Sequence, residues 1–158
     1  MTRERDSDGL YTIRFSEDDR RAKAAVWKEI AAWFTRHYVP EDATVVDLGA
    51  GNCELINQIR ARRRIAVDIS SSLEGDAREG VEALRAPLDE LSSHLDPGSI
   101  DLAFASNVFE HLRSPEMLTD VLRQVWTVLR PGGRLIVMQP NVRLVGGRFW
   151  DFLDHTLP

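Results

Sequence analysis

Apolar residues follow two kinds of spacing along the chain, one typical of helices and one typical of buried strands. Helical spacing is clear in the stretch that holds Val26, Ile30, Trp33 and Phe34, and again in residues 115–129. Short apolar runs bounded by glycine, proline or acidic residues lie between and after these stretches, as expected for strands buried on both faces. The predicted strands are Thr44–Leu48, Ile65–Asp68, Val81–Leu84, Asp101–Ala105 and Leu135–Met138.

Local signals mark the ends of the predicted helices. Ser16 precedes three acidic residues, which is typical of a helix N-cap. Ser114, followed by proline and glutamate, gives the same signal for the second clear helix, and residues 130–133 (RPGG) are predicted to end it. A further helix is predicted after the first strand, with Leu55, Ile56 and Ile59 on one side.

The alternation of strands and helical stretches defines the fold class. It predicts βαβ units, and therefore parallel strands joined by right-handed crossovers. We expect residues 1–158 to form a single α/β domain, doubly wound around a mostly parallel sheet of about five strands. Residues 1–39 would be a leader and first helix, residues 40–140 the core, and residues 141–158 a terminal segment.

Composition narrows the class of protein. Of 158 residues, 43% are hydrophobic and 28% are charged, the balance of a globular domain, and the net charge of −5 argues against a nucleic-acid surface. A single cysteine, Cys53, excludes an internal disulfide and a cysteine-rich metal site. No apolar run approaches the ~18 residues that a membrane helix needs. We therefore predict a cytoplasmic protein that binds neither nucleic acid nor membrane.

Glycine and acidic residues mark the ends of the first two strands. Gly49 and Gly51 follow the first strand, and without side chains they let the backbone approach a ligand closely. Asp68 ends the second strand, where its carboxylate can accept hydrogen bonds from both hydroxyls of a ribose. Ligands of open parallel sheets bind at the carboxyl ends of the strands, so this pattern predicts a nucleoside-containing cofactor. The alternative is a simple tight turn, because turns use glycine everywhere.

The spacing around the glycines separates the candidate cofactors. A dinucleotide fingerprint needs a third glycine three residues after Gly51, and Glu54 occupies that position. Asp47 would crowd a pyrophosphate, whereas it suits a cofactor with a cationic amino-acid end. An NAD-dependent oxidoreductase is therefore the less favoured hypothesis.

Four segments taken together resemble the class I S-adenosylmethionine-dependent methyltransferases, in the branch that acts on small molecules. The segments occur in the family's order and spacing, and they cover roughly residues 40–140. They are VVDLGAG at residues 45–51, AVDIS at 66–70, DLAFASNVFEHL at 101–112 and LRPGGRL at 129–135. The resemblance implies a Rossmann-like methyltransferase fold, with S-adenosylmethionine as cofactor and S-adenosylhomocysteine as product.

The resemblance also implies roles for the matching residues. Asp47, Gly49 and Gly51 would surround the methionine part of the cofactor, and Asp68 would bind the ribose hydroxyls. Ser106 and Asn107, just past the fourth strand, would lie near the reactive methyl group. This position makes Asn107 a candidate for catalysis as well as for cofactor binding.

Two positions depart from the family pattern. The family usually has a third glycine two residues after Gly51, where this chain has Cys53, so a tighter loop or weaker binding is expected. The family also often has an acid after the third strand, and Pro87 aligns with it. Adenine would then rely on the backbone of Leu88, with Asp89 as a less favoured substitute.

Methyl transfer from a sulfonium is an in-line displacement that depends chiefly on near-attack geometry, an effect that can contribute ~7–11 kcal/mol. A general base is needed only if the acceptor must lose a proton. The candidates are His111, which we prefer, and His155, for which a simple surface position is favoured. His111 could instead be a positioning residue bonded to backbone or to Glu110, or could join Glu110 in holding a divalent metal. We assign no metal site from the sequence.

The resemblance implies that part of the fold is absent. A complete class I fold has seven strands, and the 20 residues after Met138 are too few for the last two. We therefore expect a truncated domain that lacks the C-terminal strand hairpin and leaves its fifth strand as an open edge. Such an edge, with the aromatic residues 149, 150 and 152 nearby, favours a homodimer.

The resemblance also implies a lid over the cofactor, formed by the segment before the first helix. Arg14 in this leader is the candidate lid residue.

Three functions follow from these observations. The leading hypothesis is methyl transfer from S-adenosylmethionine to a small-molecule or a sugar- or lipid-linked acceptor. The alternative is a module that binds the cofactor without turnover, because part of the acceptor pocket is expected to be missing. NAD-dependent oxidation is the third and least favoured.

Overall fold

The computed structural model describes residues 17–147 and 155–157. Its helices are α1 Glu17–Tyr38, α2 Leu73–Asp76, α3 Pro115–Val128 and α4 Val142–Val145. Its strands are β1 Thr44–Leu48, β2 Arg63–Asp68, β3 Val81–Arg85, β4 Ile100–Ser106 and β5 Leu129–Met138. Two 3₁₀ segments lie at Leu88–Ser93 and Phe109–His111. Within the described residues, no helix is both long and apolar enough to cross a membrane.

The five strands form one sheet in the order β3-β2-β1-β4-β5, and every pair is parallel. The chain runs outward from β1 through β2 to β3, and then returns to the other side of β1 for β4 and β5. This reversal is the topological switch point at which open α/β sheets bind ligands. The predicted doubly wound, five-stranded fold is confirmed.

Hydrophobic side chains cover both faces of the sheet, because successive strand residues point to opposite sides. Val46 and Leu48 of β1 belong to one core cluster, together with the α3 residue Val125. Val45 and Phe104 belong to the second cluster, which α1 covers through Phe34. The Phe34 and Phe104 rings pack edge to face with their centroids 4.9 Å apart.

The buried face of α1 differs from the predicted stripe. Val26 and Trp33 are 57% and 54% exposed, whereas Ala31 and Phe34 are buried and Trp27 packs against the core. The helix is therefore rotated by about one residue from the expected orientation. Apolar residues occupy two adjacent rows of this helix, and contact with the sheet determines which row is buried. The predicted cap Ser16 lies outside the described residues.

The predicted helix after β1 is instead a series of turns over residues 51–58. Leu55, Ile56 and Ile59 are buried as expected, and Ile59 N still donates to Leu55 O at 3.2 Å. Gly51 and Cys53 have φ angles of +50° and +57°. A right-handed helix cannot pass through left-handed residues, which explains why no regular helix starts here.

Strand β5 begins earlier than predicted, directly after α3 ends at Val128. Leu129 pairs with Ile100 and Arg134 pairs with Leu102, so residues 130–133 form an irregularity within the strand. Pro131 has no N–H to donate, which accounts for the interrupted pairing. The motif RPGG therefore lies inside the strand, and does not end the helix as expected.

Candidate functional site

The glycine turn after β1 is bonded directly to the end of β2. Gly49 N and Ala50 N donate to Val67 O at 2.8 and 3.0 Å. Gly51 N donates to Asp68 Oδ2 at 2.8 Å, and Ser70 N donates to Oδ1 of the same carboxylate at 2.9 Å. Asp68 therefore points toward the turn, as a shared cofactor site requires. Each carboxylate oxygen has further lone pairs with which to accept a hydroxyl.

The two glycines of the turn are required for different reasons. A Cβ at Gly49 would lie 2.3 Å from Cγ2 of Val108, so no side chain fits between β1 and the segment after β4. A Cβ at Gly51 would meet nothing within 4 Å, so this residue borders open space. Gly51 nevertheless has a φ of +50°, which favours glycine. The turn is therefore packed on one side and open on the other.

Asp47 is only 5% exposed, and this burial is the main reason why its pKa rises from 3.8 to about 7. The negative charges of Asp68 and Glu54 raise the pKa further, whereas a hydrogen bond from the Ile56 backbone lowers it. A buried acid beside two other carboxylates gains stability from any cation that approaches. The surroundings of Asp47 are therefore acidic, although Glu54 is itself paired with Lys23 at 3.0 Å.

Cys53 occupies the position where the family usually has a glycine, and its backbone is left-handed as a glycine's would be. The side chain is fully buried in the core cluster that α1 covers. Burial, together with the charges of Asp47, Asp76 and Asp68, raises the pKa of the thiol to about 12. Cys53 is therefore a packing residue rather than a reactive thiolate.

Ser106 and Asn107 lie at the carboxyl end of β4, as predicted. Asn107 N donates to Met138 O at 3.0 Å, which joins the ends of β4 and β5. The Asn107 side-chain amide donates to Ser106 Oγ at 3.0 Å and is exposed. Its φ of +48° is another left-handed conformation, which asparagine tolerates better than most residues. The next residue, Val108, is the one that packs on Gly49.

The segment after β3 brings Leu88 to the same side of the sheet. Ala86 N donates to Asp68 O at 3.1 Å, which fixes this segment beside the ribose-binding candidate. Leu88 begins the 3₁₀ segment, and its side chain is buried in the core. The side chain of Asp89 is exposed.

His111 and His155 lie against each other, with ring centroids 5.1 Å apart. His155 is partly buried, although the sequence favoured a simple surface position for it. Thr156 N donates to Glu110 O at 2.7 Å, and this bond anchors the terminal segment beside the turn after β4. No local signal in the sequence indicates this contact, because the two histidines are far apart along the chain.

Two further predictions concern residues that the structure does not describe. The lid candidate Arg14 and the aromatic residues 149, 150 and 152 lie outside the described residues. A surface cavity bordered by Arg36, Asp101 and Arg130 lies near the amino ends of β4 and β5, away from the glycine turn. The Asp101–Arg130 ion pair that borders it connects two strands and is structural.

Comparison with known proteins identifies the family of this chain. Residues 46–135 match a family model described as a methyltransferase domain. The tRNA 5-carboxymethoxyuridine methyltransferase of Escherichia coli strain K12 is 27% identical over 136 residues, covering 75% of this chain and 50% of the relative. Methyltransferase AacuQ of Aspergillus aculeatus is 34% identical over 96 residues, covering 57% of this chain and 30% of the relative.

A solved structure shares the fold. The crystal structure of an S-adenosylmethionine-dependent methyltransferase from Archaeoglobus fulgidus superposes with a TM-score of 0.67 at 21% identity, covering 84% of this chain and 62% of that one. The chain spans only 50% and 30% of the lengths of the two curated relatives described above. The family model covers the glycine turn, Asp68 and the end of β4, and the chain therefore belongs to the family of S-adenosylmethionine-dependent methyltransferase domains.

Proposed function

We propose that this domain binds S-adenosylmethionine at the carboxyl ends of β1, β2 and β4 and transfers its methyl group to a small-molecule or a sugar- or lipid-linked acceptor. The main support is the hydrogen bond of 2.8 Å between Gly51 N and Asp68 Oδ2. Because this bond brings the carboxylate next to the open turn, a ligand beside Gly51 would contact both. Asp68 would accept the ribose hydroxyls, while Asp47, Gly49 and Gly51 would surround the methionine part.

Charge supports the choice of ligand. The charges of Asp68 and Glu54 raise the pKa of Asp47. Lys23 already pairs with Glu54 at 3.0 Å, but a neutral or anionic ligand would leave the repulsion between Asp47 and Asp68 in place. The sulfonium and ammonium groups of S-adenosylmethionine would relieve it. The missing third glycine at Glu54 separately disfavours NAD.

The reacting end of the site would lie beside Ser106 and Asn107. The bound sulfonium supplies an already activated methyl group, so the protein's task is to hold the acceptor in line with it. Asn107 is exposed at the end of β4, and its side chain would orient either partner. His111 would take the proton of an acceptor that must lose one, and Leu88 would present its backbone to the adenine.

The negative charge of the chain favours an acceptor other than a nucleic acid. The tRNA methyltransferase from E. coli acts on RNA, and a tRNA acceptor for this chain would require a basic surface. The net charge of −5 and the acidic crevice formed by Asp47 and Asp68 disfavour such a polyanion. We therefore retain the small or carrier-linked acceptor. A binding module without turnover is the second candidate, because cofactor binding by Asp68 and the glycine turn does not by itself require an acceptor.

Calorimetric titration tests cofactor binding. We expect S-adenosylmethionine and S-adenosylhomocysteine to bind the wild-type chain, Asp68→Ala to lose at least about tenfold in affinity, and NAD not to bind. Asp96→Ala, which removes an exposed carboxylate from the turn before β4, is the matched control and should bind normally. Equal affinity in Asp68→Ala and the wild type would rule out the proposed ribose contact.

A methyl-release assay over an acceptor panel then separates the remaining candidates. The panel should contain small hydroxyl and amine compounds, sugar- and lipid-linked acceptors, and tRNA. Turnover with a small or linked acceptor supports the proposal, while turnover with tRNA alone contradicts it. Binding without any turnover favours the module.

A further inference from the structure

Three side chains that commonly bind metals meet beside the turn that follows β4. Glu110, His111 and His155 each offer one ligand atom, and these atoms all lie within 4.8 Å of one another. The two imidazole rings are inclined at 64°. Such an arrangement allows nitrogen atoms from both rings and a carboxylate oxygen to converge on one point.

One carboxylate oxygen of Glu110 is buried in this cluster without a hydrogen-bond partner among the described residues. The residue is only 4% exposed, and the oxygen concerned is Oε2. Buried polar atoms are normally paired, since an unpaired carboxylate oxygen loses its hydration without compensation. A cation bound by this oxygen would provide the compensation.

The backbone holds the cluster together. Thr156 N and Leu157 N both donate to Glu110 O, at 2.7 and 3.2 Å, and the Thr156 hydroxyl donates to Leu112 O. Leu157 also packs against the core cluster that includes Val125. His155 is therefore positioned next to His111 by contacts that do not involve a metal.

We propose that Glu110, His111 and His155 form a binding site for one divalent first-row transition ion. Two imidazole nitrogens and one carboxylate oxygen suit zinc or its analogue cobalt better than magnesium, which prefers oxygen ligands. Metal–ligand bonds of ~2.0–2.2 Å place tetrahedral ligands roughly 3.3–3.6 Å apart, so small side-chain rotations close the site. Three protein ligands leave a coordination position open for water or another oxygen ligand.

This inference does not rest on the proposed methyl transfer, because metal binding is measured without cofactor or acceptor. With a metal bound, His111 is a ligand and no longer the base that takes a proton from the acceptor. The full chain is stripped with a chelator and titrated with Co²⁺, whose visible absorption reports its ligands, and with Zn²⁺ by calorimetry. We expect saturation at one ion per chain and weaker binding of Mg²⁺. His155→Ala and Glu110→Gln should each lower the affinity by more than ~10–100-fold, the loss typical of removing an outer-shell partner alone.

His94→Ala is the matched control, because His94 is exposed at the end of the 3₁₀ segment after β3 and lies outside the cluster. It should bind Co²⁺ like the wild type. Far-ultraviolet circular dichroism checks that each variant folds, and His111→Ala, whose side chain is exposed, replaces any variant that does not. Absence of saturable binding by the wild type at about 1 mM metal, or equal affinity in the cluster variants, would overturn the proposal.

Discussion

Individual residues at the glycine turn show how the fold changes ordinary chemistry. Asp47 is an acid in a hydrophobic strand, where burial raises its pKa to about 7. Cys53 has the backbone of a glycine but the side chain of a core residue. Burial of the Asp47 carboxyl and the left-handed backbone of Cys53 each cost stability, and both residues lie within four positions of Gly51. Their consequences are measurable separately.

The raised pKa of Asp47 makes stability depend on pH. The folded state retains a proton that the unfolded state loses, so the free energy of unfolding falls as pH rises from about 4 to about 7. The shift corresponds to a contribution of up to about 4 kcal/mol. We expect Asp47→Asn to lack this decline, and therefore to gain stability relative to the wild type between pH 4.5 and 7.5. Urea unfolding at both pH values measures the difference, and parallel profiles would contradict it.

The same acid should couple cofactor binding to proton release. The positive charges of S-adenosylmethionine favour the ionised form of Asp47, so its pKa should fall when the cofactor binds. Near pH 6.5, binding should release a fraction of a proton and should strengthen as pH increases toward 8. Calorimetry in two buffers of different ionisation enthalpy measures the release, and Asp47→Asn should abolish it. An unchanged proton count in that variant would assign the effect to another group.

At position 53, a glycine variant should be more stable than an alanine variant, which is the reverse of their usual order in a helix. At a φ of +57°, alanine bears the left-handed penalty of about 1 kcal/mol that glycine avoids, while both substitutions remove the same thiol. We therefore expect Cys53→Gly to be more stable than Cys53→Ala by roughly that amount. Arg123 in the middle of α3 is the control, because there the alanine variant should be the more stable one. Chemical unfolding of the glycine and alanine variants at Cys53 and at Arg123 measures both differences. Greater stability of Cys53→Ala than of Cys53→Gly would contradict the prediction.

At the scale of secondary structure, elements with strong local signals were predicted well. Helix α3 starts at Pro115 after a serine cap, and β1 and β4 lie where the apolar runs indicate. From the sequence we predicted the start of β5 too late, and we predicted a helix containing Leu55, Ile56 and Ile59 where the structure has turns over residues 51–58. Both errors occur where left-handed or proline residues interrupt regular bonding, and tertiary contacts then determine the path of the chain.

The cap of α3 offers a test at this scale. Ser114 Oγ accepts a hydrogen bond of 3.3 Å from Met117 N, which satisfies one of the free amides of the first turn. We expect Ser114→Ala to lower the free energy of unfolding by about 1 kcal/mol, and Ser114→Asn to retain most of it, since asparagine also caps. Thermal and urea unfolding measure both variants. Equal losses in the two variants would show that the cap contributes little.

At the scale of the whole molecule, the described sheet has two edges, β3 and β5. Val137 on β5 is 43% exposed. An exposed apolar edge strand favours pairing with another chain. The prediction of a homodimer through β5 therefore remains a proposal with structural support.

Light scattering over a range of concentrations tests the dimer. We expect the wild type to associate and Val137→Lys to shift it toward the monomer, because a charge on an edge strand disfavours pairing. Val145→Lys is the control, since it adds the same charge to an exposed position on the short helix α4. A wild-type monomer at the highest concentration would contradict the proposed dimer. The cytoplasmic location is a separate prediction, which this experiment does not test.

The sequence by itself determined the parallel α/β order, the glycine turn and the position of Asp68 beside it. Those features follow from short-range patterns, because parallel strands necessarily bring their carboxyl ends to one edge. Only the tertiary structure decided which face of α1 is buried, how far burial raises the pKa of Asp47, and that His155 meets Glu110 and His111. These outcomes depend on contacts between residues distant along the chain, and local periodicity carries no information about such contacts.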